Sequence, residues 1–302
     1  MRIVIALGGN ALLHRDEPPE AAAQSARLAA VAPALARLAD AHEVVLVHGN
    51  GPQVGLLARE SAEDPALHAP YPLGLLSAAT QGMIGSLLQQ ALRNAGTTKP
   101  VAALVTHTVV NPDDPAMHHP QKFIGAVYDA RRAHLFAKTH GWAIALDHDG
   151  WRRVVASPRP MRILELDDGR ALLAEGRTVI LGGGGGVPVT ADARGIRLID
   201  AVVDKDYTAS LIAQRLDADM LAILTDVPGV IADFGTPNAT VLPVITPASV
   251  ASLSLPAGSM GPKVEAAAEF ATATGRTAVI GPLDHAEDVV AGILGTRIGV
   301  RA

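Results

Sequence analysis

Three apolar segments of strand length each run into glycine. Ile3-Val4-Ile5-Ala6-Leu7 ends at Gly8-Gly9-Asn10, and Val44-Val45-Leu46-Val47 passes through His48 into Gly49-Asn50-Gly51-Pro52. Thr178-Val179-Ile180-Leu181 ends at five consecutive glycines, Gly182 to Gly186. Unbroken apolar runs of this length are typical of strands buried on both faces of a parallel sheet. Parallel strands send their carboxyl ends to one edge, and in open α/β sheets that edge is where ligands bind. The expectation is an α/β fold whose glycine loops converge on an anion.

A chain of 302 residues has room for one large α/β domain or two lobes with a sizeable core. Hydrophobic residues make up 49% but aromatics only 3%, so the core rests on Ala, Val, Leu and Ile. The sequence has no cysteine, which excludes disulfides and thiolate metal sites. A formal charge of −5 argues against a general nucleic-acid or membrane-surface binder. No apolar run approaches the roughly 20 residues of a membrane span. Arg2 ahead of an apolar run imitates a signal peptide, but the run breaks at Gly8, too early for one. A soluble, cytoplasmic protein without nucleic-acid or membrane partners is expected. Lysine is confined to Lys99, Lys122, Lys138, Lys205 and Lys263 in an Arg-rich chain. A lysine kept against that bias points to a use for its compact ammonium.

Along the chain, Ala21 to Ala39 reads as a helix that Pro33 kinks or breaks. Another helix begins at Pro52, and Ser77 to Asn94 reads as a long one with Met83, Ile84, Leu87, Leu88 and Leu92 apolar. Val101–Val105 reads as a strand continued at Val109-Val110. From about 111 to 160 the strand–helix rhythm gives way to prolines, histidines, charges and both tryptophans, Trp142 and Trp151. This segment reads as an inserted subdomain of short strands, since loops so long are usually functional or disordered. Beyond it come a short strand Val187–Thr190, a helix Asp206–Leu216, a strand Met220–Leu224, a helix Lys263–Ala273 and a last strand Thr277–Ile280.

Five adjacent glycines are disfavoured by roughly 0.5–1 kcal/mol each relative to alanine, which packing alone does not explain. They offer backbone amides to an anion. Both the dinucleotide fingerprint and a Gly-Lys pair of the Walker type are missing. Asp204-Lys205-Asp206 precedes a helix. Lys205 beside that positive helix end suits a phosphate, with Asp204 steadying the ammonium and Asp206 as N-cap; a self-compensating charge cluster is the alternative. Gly258-Ser259-Met260-Gly261-Pro262-Lys263 again puts a lysine in a first helical turn, unfavourable unless an anion joins it. Thr225-Asp226-Val227 follows a strand and is either a nucleotide contact or a tight turn. The eleven histidines show no metal-ligand spacing, and His48 reads as structural. No serine occupies a nucleophile elbow.

Taken together, Ala6-Leu7-Gly8-Gly9-Asn10-Ala11, His48-Gly49-Asn50-Gly51-Pro52-Gln53-Val54-Gly55, Thr80-Gln81-Gly82, Gly183 to Pro188, Asp204-Lys205-Asp206, Ile223-Leu224-Thr225-Asp226 and Gly258 to Lys263 resemble the carbamate kinase family of the amino-acid kinase superfamily. The likeness is nearest to catabolic members of the allantoin-degradation type, and Lys122-Phe123-Ile124-Gly125 and Val154 to Pro158 also fit. It covers nearly the whole chain in order. The resemblance implies a three-layer αβα sandwich with an open, mainly parallel sheet, a small protruding subdomain and a homodimer. It implies one amino-acid-kinase-like domain over 1–302: a carbamate or carbamoyl-phosphate lobe over 1–200, carrying the insert at about 111–160, and a nucleotide lobe over 201–302. It implies ATP or ADP with Mg²⁺, with no protein metal ligand identified.

By the same matching, Lys205 and Lys263 would hold the transferring phosphoryl group and Asp204 would orient them. Gly8, Gly9, Asn10, Gly49, Asn50 and Gly51, with Gly183, Gly184 and Gly185, would bind substrate. Thr225, Asp226, Val227, Met260 and Gly261 would bind nucleotide. The family pattern also has a lysine soon after a Gly-Trp pair. Here Gly141-Trp142 is followed by Ala143 to Asp147 without one, leaving Arg152, Arg153 or Lys122 to substitute. The expected reaction interconverts ATP plus carbamate with ADP plus carbamoyl phosphate, net towards ATP in arginine or purine catabolism. Its rivals are a carboxylate kinase of the same superfamily and a non-catalytic nucleotide- or anion-binding regulator. A nicotinamide oxidoreductase is disfavoured by the missing fingerprint.

Overall fold

The computed structural model describes residues 1–8, 20–147, 150–253 and 260–299. Its centre is an eight-stranded sheet. From one edge to the other the strands are Val244–Ile245, Thr296–Ile298, Thr277–Pro282, Met220–Thr225, Arg2–Leu7, Glu43–His48, Thr178–Ile180 and Val101–Ala103. All neighbours are parallel except Thr277–Pro282 with Thr296–Ile298. The three strands that end in glycine lie side by side, with Leu7 opposite His48 and Leu46 opposite Ile180. Their loops therefore open on the same edge.

Side chains on a strand alternate between faces, so each apolar run feeds two cores at once. Val4, Ala6, Val45, Val47, Val179 and Leu181 pack with Ile212 of the helix Lys205–Arg215 and Phe270 of the helix Gly261–Thr274. Ile3, Ile5, Leu7, Val44, Leu46 and Ile180 pack on the other side with Leu35 of the helix Ala21–Ala41 and Leu88 of the helix Leu73–Asn94. The result is helix, sheet, helix: a three-layer sandwich.

Several local expectations are corrected. Pro33 does not break its helix, which runs from Ala21 to Ala41. A mid-helix proline costs about 3 kcal/mol, but Leu28, Val31, Leu35 and Leu38 on both sides of it are buried and hold the helix against the sheet. Met83 is exposed whereas Ile84, Leu88 and Leu92 face inward. The strand expected over Val101–Val105 and continued at Val109-Val110 is two separate strands, because Val101–Ala103 belongs to the central sheet and His107–Val110 to another. That second sheet has four strands, Gly195–Leu198, Val187–Asp192, His107–Val110 and Pro160–Ile163. Thr277–Pro282 is not the last strand, since Thr296–Ile298 pairs beside it; three residues are too few to show a period.

Within the irregular segment, Lys122–Tyr128, Gly150–Val155 and Ile144–Asp147 form a separate antiparallel sheet, accompanied by the helix Ala130–His140. Tyr128, Phe136 and Trp142 pack together there, with Arg153 4.6 Å above the Trp142 ring. This unit rests on the helix Gly51–Glu63 through two glycines. A Cβ on Gly55 would lie 2.0 Å from the Gly125 Cα. Alanine favours a helix over glycine by about 1 kcal/mol. Against that, a clash with backbone cannot be relieved by a rotamer change, and overpacking costs about 1–3 kcal/mol. Gly55→Ala is expected to lower the melting temperature and speed amide hydrogen exchange in Lys122–Tyr128. Calorimetry and exchange mass spectrometry check this, and a raised melting temperature would refute it.

Candidate active site

The first two glycine loops use part of their backbone to extend the sheet. Gly8 N–H donates to the Leu224 carbonyl at 2.8 Å, and Gly49 N–H to the Leu7 carbonyl at 3.0 Å. Gly8 is thereby set beside Thr225, at the end of the strand Met220–Thr225. Asn50 is buried and donates through Nδ2 to Thr80 Oγ1 at 2.9 Å. Gly51 opens the helix Gly51–Glu63, whose N-terminus has no side-chain cap. Gly9 and Asn10 lie outside the described residues.

The five-glycine turn is buried and close-packed. A Cβ on Gly183 would sit 2.2 Å from His48 Nε2, and one on Gly184, at φ 62°, would sit 2.2 Å from Asn50 Nδ2. Packing therefore demands glycine here more than the sequence suggested. The amides divide into two groups. Gly182 N–H donates to Thr106 Oγ1, and Gly185 and Gly186 close the turn on Gly182 and Gly183 carbonyls. The N–H groups of Gly183 and Gly184 have no hydrogen-bond partner among the described residues. These two are the amides the turn can offer to an anion. Thr208 Oγ1 donates to the Gly185 carbonyl at 2.9 Å and ties the turn to the helix Lys205–Arg215.

That helix starts one residue earlier than expected. Its N-cap is Asp204, not Asp206, with Asp204 Oδ1 accepting from Asp206 N–H at 2.9 Å. This frees the Asp206 carboxylate for another task. Lys205 Nζ donates to Asp206 Oδ1 at 2.5 Å, and Lys263 Nζ to Asp206 Oδ2 at 3.3 Å. Two lysines far apart in sequence thus meet on one carboxylate. The carboxylate that both contact is Asp206, while Asp204, expected to orient them, acts on both from farther off. Asp204 Oδ2 instead accepts from Lys122 Nζ, which projects from the inserted sheet. Of the three cations named as substitutes for a missing lysine, only Lys122 reaches this cluster. Arg152 is held by Asp147 at 2.9 Å and the Gly125 carbonyl at 2.9 Å, and Arg153 covers Trp142.

All five charged groups are at least two-thirds buried, with three ammonium groups against two carboxylates. Burial alone would raise the Asp206 carboxyl, but the Lys205 and Lys263 ammoniums outweigh it and hold it well below the carboxylate range. Asp204 is likewise lowered against its burial, chiefly by Lys122. Burial lowers Lys205 despite Asp206, and the nearby Lys263 charge adds to that. Burial would lower Lys263 too, but Asp206 and Asp204 raise it.

Thr225 is buried, and Asp226 is exposed beyond it, near enough to help raise Lys263. Thr225 Oγ1 donates to Asp226 Oδ1 at 3.0 Å, and Val227 follows, partly buried. Met260 and Gly261 start the helix that carries Lys263, again without a side-chain cap among the described residues. Gly258 and Ser259 lie outside the described residues. A cavity of about 790 Å³ separates the insert from the body, lined by Lys122, Phe123, Ala145, Asp204, Tyr207 and Pro262. Lys122 and Asp204 thus join this cavity to the cluster of Lys205, Asp206 and Lys263, a concentration of cations that suits stabilisation of spreading negative charge.

The amino acid kinase family model matches residues 1–282. A carbamate kinase of Haemophilus influenzae is 45% identical over 300 residues, covering 99% of this chain and 96% of that protein. This chain belongs to the carbamate kinase family. A carbamate kinase of Escherichia coli K12 is 44% identical with 99% of each chain covered, and one of Pyrococcus horikoshii is 40% identical with 98% of each. The solved structure of a Giardia lamblia carbamate kinase bound to citric acid matches with a TM-score of 0.90 at 36% identity, covering 98% of this chain and 97% of that one. The enzyme is therefore a kinase with the amino-acid kinase fold. Sequence reasoning undervalued Asp206 in this kinase, treating it as a cap. The signal that it is more was its place next to a rare lysine.

His48 marks the floor of the site. Its Nδ1 donates to the Gly49 carbonyl at 3.0 Å. Burial lowers the ring to about 4, with the Lys205 ammonium adding and the Gly49 carbonyl opposing. An unfolded histidine takes its proton near 6.5, so the unfolded state gains protons first as pH falls. Stability is then full above pH of about 6.5 and declines towards about pH 4, by about 3 kcal/mol in total. Melting curves across that range should show the slope, and His48→Gln should flatten it. A His48 ring that titrates near 6.5 by NMR in the wild type would overturn this reading.

Proposed function

We propose that this kinase transfers a phosphoryl group between carbamoyl phosphate and ADP, forming ATP and carbamate. The observation that carries the reading is the meeting of Lys205 and Lys263 on Asp206, beside the open amides of Gly183 and Gly184. The names of the relatives support the same substrate pair. Carbamate is already an anion, so no general base is required to make a nucleophile. Buried His48 agrees with that, since burial lowers its ring to about 4 and leaves it a weak proton acceptor. The task left to the protein is to bring two anions together and to stabilise charge on the equatorial phosphoryl oxygens.

Lys205 and Lys263 hold the migrating group in this reading, and Asp206 keeps them from repelling one another. Asp204 holds Lys122, which faces the carbamoyl end from the insert. Asn50, Gly51, Gly183, Gly184 and Gly185 line that end together with Gly8 and Gly49. Thr225, Asp226, Val227, Met260 and Gly261 serve the nucleotide. Exposed Asp226 is a hard oxygen donor of the kind Mg²⁺ accepts while keeping most of its waters. Magnesium, carried on the nucleotide phosphates, supplies further positive charge there when bound.

Net ATP formation follows from the high-energy acyl phosphate, and a role in the catabolism of arginine or purine nitrogen fits it. The same proposal includes residues 1–200 as the carbamoyl lobe with its insert, 201–302 as the nucleotide lobe, a cytoplasmic location and a homodimer. Exposed Ile196 and Leu198 share one face of the edge strand Gly195–Leu198, and the helix bearing exposed Leu75 starts against Leu198. Such an apolar surface is one that a second copy covers.

The test is ATP production from carbamoyl phosphate, ADP and Mg²⁺, run beside reverse assays with acetylglutamate and aspartate. No ATP, or a preference for an amino-acid carboxylate, would sink the assignment. Lys205→Ala and Lys263→Ala should each lower turnover by about 10²–10³-fold with the circular dichroism spectrum unchanged.

A further inference from the structure

One guanidinium joins three parts of the molecule. Arg159 lies where the chain leaves the insert, just before the strand Pro160–Ile163. Its guanidinium sits 3.4 Å from the centroid of the Tyr207 ring. Nη1 donates to Glu269 Oε1 at 3.0 Å, and Nη2 to Glu265 Oε2 at 3.4 Å. Tyr207 Oη donates to that same Glu265 oxygen at 2.5 Å. Burial and the hydrogen bond to Glu265 raise the phenol above its ordinary value, so it stays a donor. The Arg159 backbone N–H donates to Asp114 Oδ2 at 3.0 Å, and Asp114 Oδ1 caps the turn Pro115–Met117 where the chain enters the insert.

The positions matter more than the bonds. Tyr207 is two residues after Lys205, in the first turn of that helix, and Glu265 is two residues after Lys263, at the start of the second turn of its own. Asp114 and Arg159 are the two roots of the insert that carries Lys122. Arg159 therefore ties the supports of all three lysines to one another. Its ion pairs are about half exposed, and such pairs contribute little to global stability. A stacked, two-carboxylate arrangement does fix an angle, and it needs a planar fork that lysine lacks.

We propose that Arg159 is a positioning residue: by stacking on Tyr207 and bridging Glu265 and Glu269, it fixes the insert against the two lysine helices and so sets the grip on the carbamoyl end. This rests on the phosphoryl-transfer reading above.

The test uses the full chain and the variants Arg159→Ala, Arg159→Lys and Tyr207→Phe. Arg159→Ala should lower kcat/KM for carbamoyl phosphate by about 10-fold, with KM for ADP within about two-fold and the melting temperature within about 2 °C, as expected for a half-exposed pair. Arg159→Lys should recover less than half of the loss, and Tyr207→Phe should keep most of the stacking and most of the activity. The chain has no cysteine, so spin labels at Arg131→Cys on the insert and Thr272→Cys on the helix Gly261–Thr274 report their separation directly. The distance distribution should broaden in Arg159→Ala. Unchanged kinetics and distances would overturn the proposal. So would a kinetic loss shared equally by both substrates and matched by a fall in melting temperature. If the wild type makes no ATP, the phosphoryl-transfer reading fails, and the label distances alone decide whether Arg159 is a clasp.

Discussion

Two buried ammonium groups in one cleft repel one another and lose their hydration as well. Asp206 lets the chain tolerate this, since each of its oxygens serves one lysine. Lys122 brings a third ammonium and Asp204 a second carboxylate, with Asp226 near Lys263. A protein built for stability alone has little use for so many buried charges; replacing buried ion pairs by apolar groups is often neutral or stabilising. On the proposed function, the cluster makes sense as half of a larger pairing whose other half arrives with substrate. The opposite displacements of Lys205 and Lys263 belong to the same picture, one lysine governed by burial and the other by two carboxylates.

The central sheet makes that meeting possible. Strands buried on both faces leave little room for polar chemistry within the layers, so it collects at the carboxyl edge. Side-by-side placement of Arg2–Leu7, Glu43–His48 and Thr178–Ile180 puts three loops within reach of one ligand. The five-glycine turn then allows a close approach that no side chain could share. His48 and Asn50 occupy the space where two Cβ atoms would have been.

Much of this was legible in the residues. Apolar runs and glycine stops revealed the sheet, and scarce lysines at helix starts pointed to Lys205 and Lys263. What could not be read was decided by contacts across the chain. Periodicity does not reveal that a helix begins at residue 205 and not 206, yet that shift of one moves the cap to Asp204 and frees Asp206. Pro33 looked like a helix breaker because local propensity carries no knowledge of the sheet it lies against. The closing strand Thr296–Ile298 is too short for any pattern, and it exists because a neighbour is there to pair with it. Arg159 carried no signal at all, since its meaning depends on Tyr207, Glu265 and Glu269 arriving from elsewhere.

Both tryptophans belong to the inserted unit, Trp142 packed on Phe136 and Trp151 edge-on to His134. The sandwich beneath has none, so under red-edge ultraviolet excitation it is dark. Emission from this enzyme therefore reports the surroundings of its inserted unit alone, without any dye.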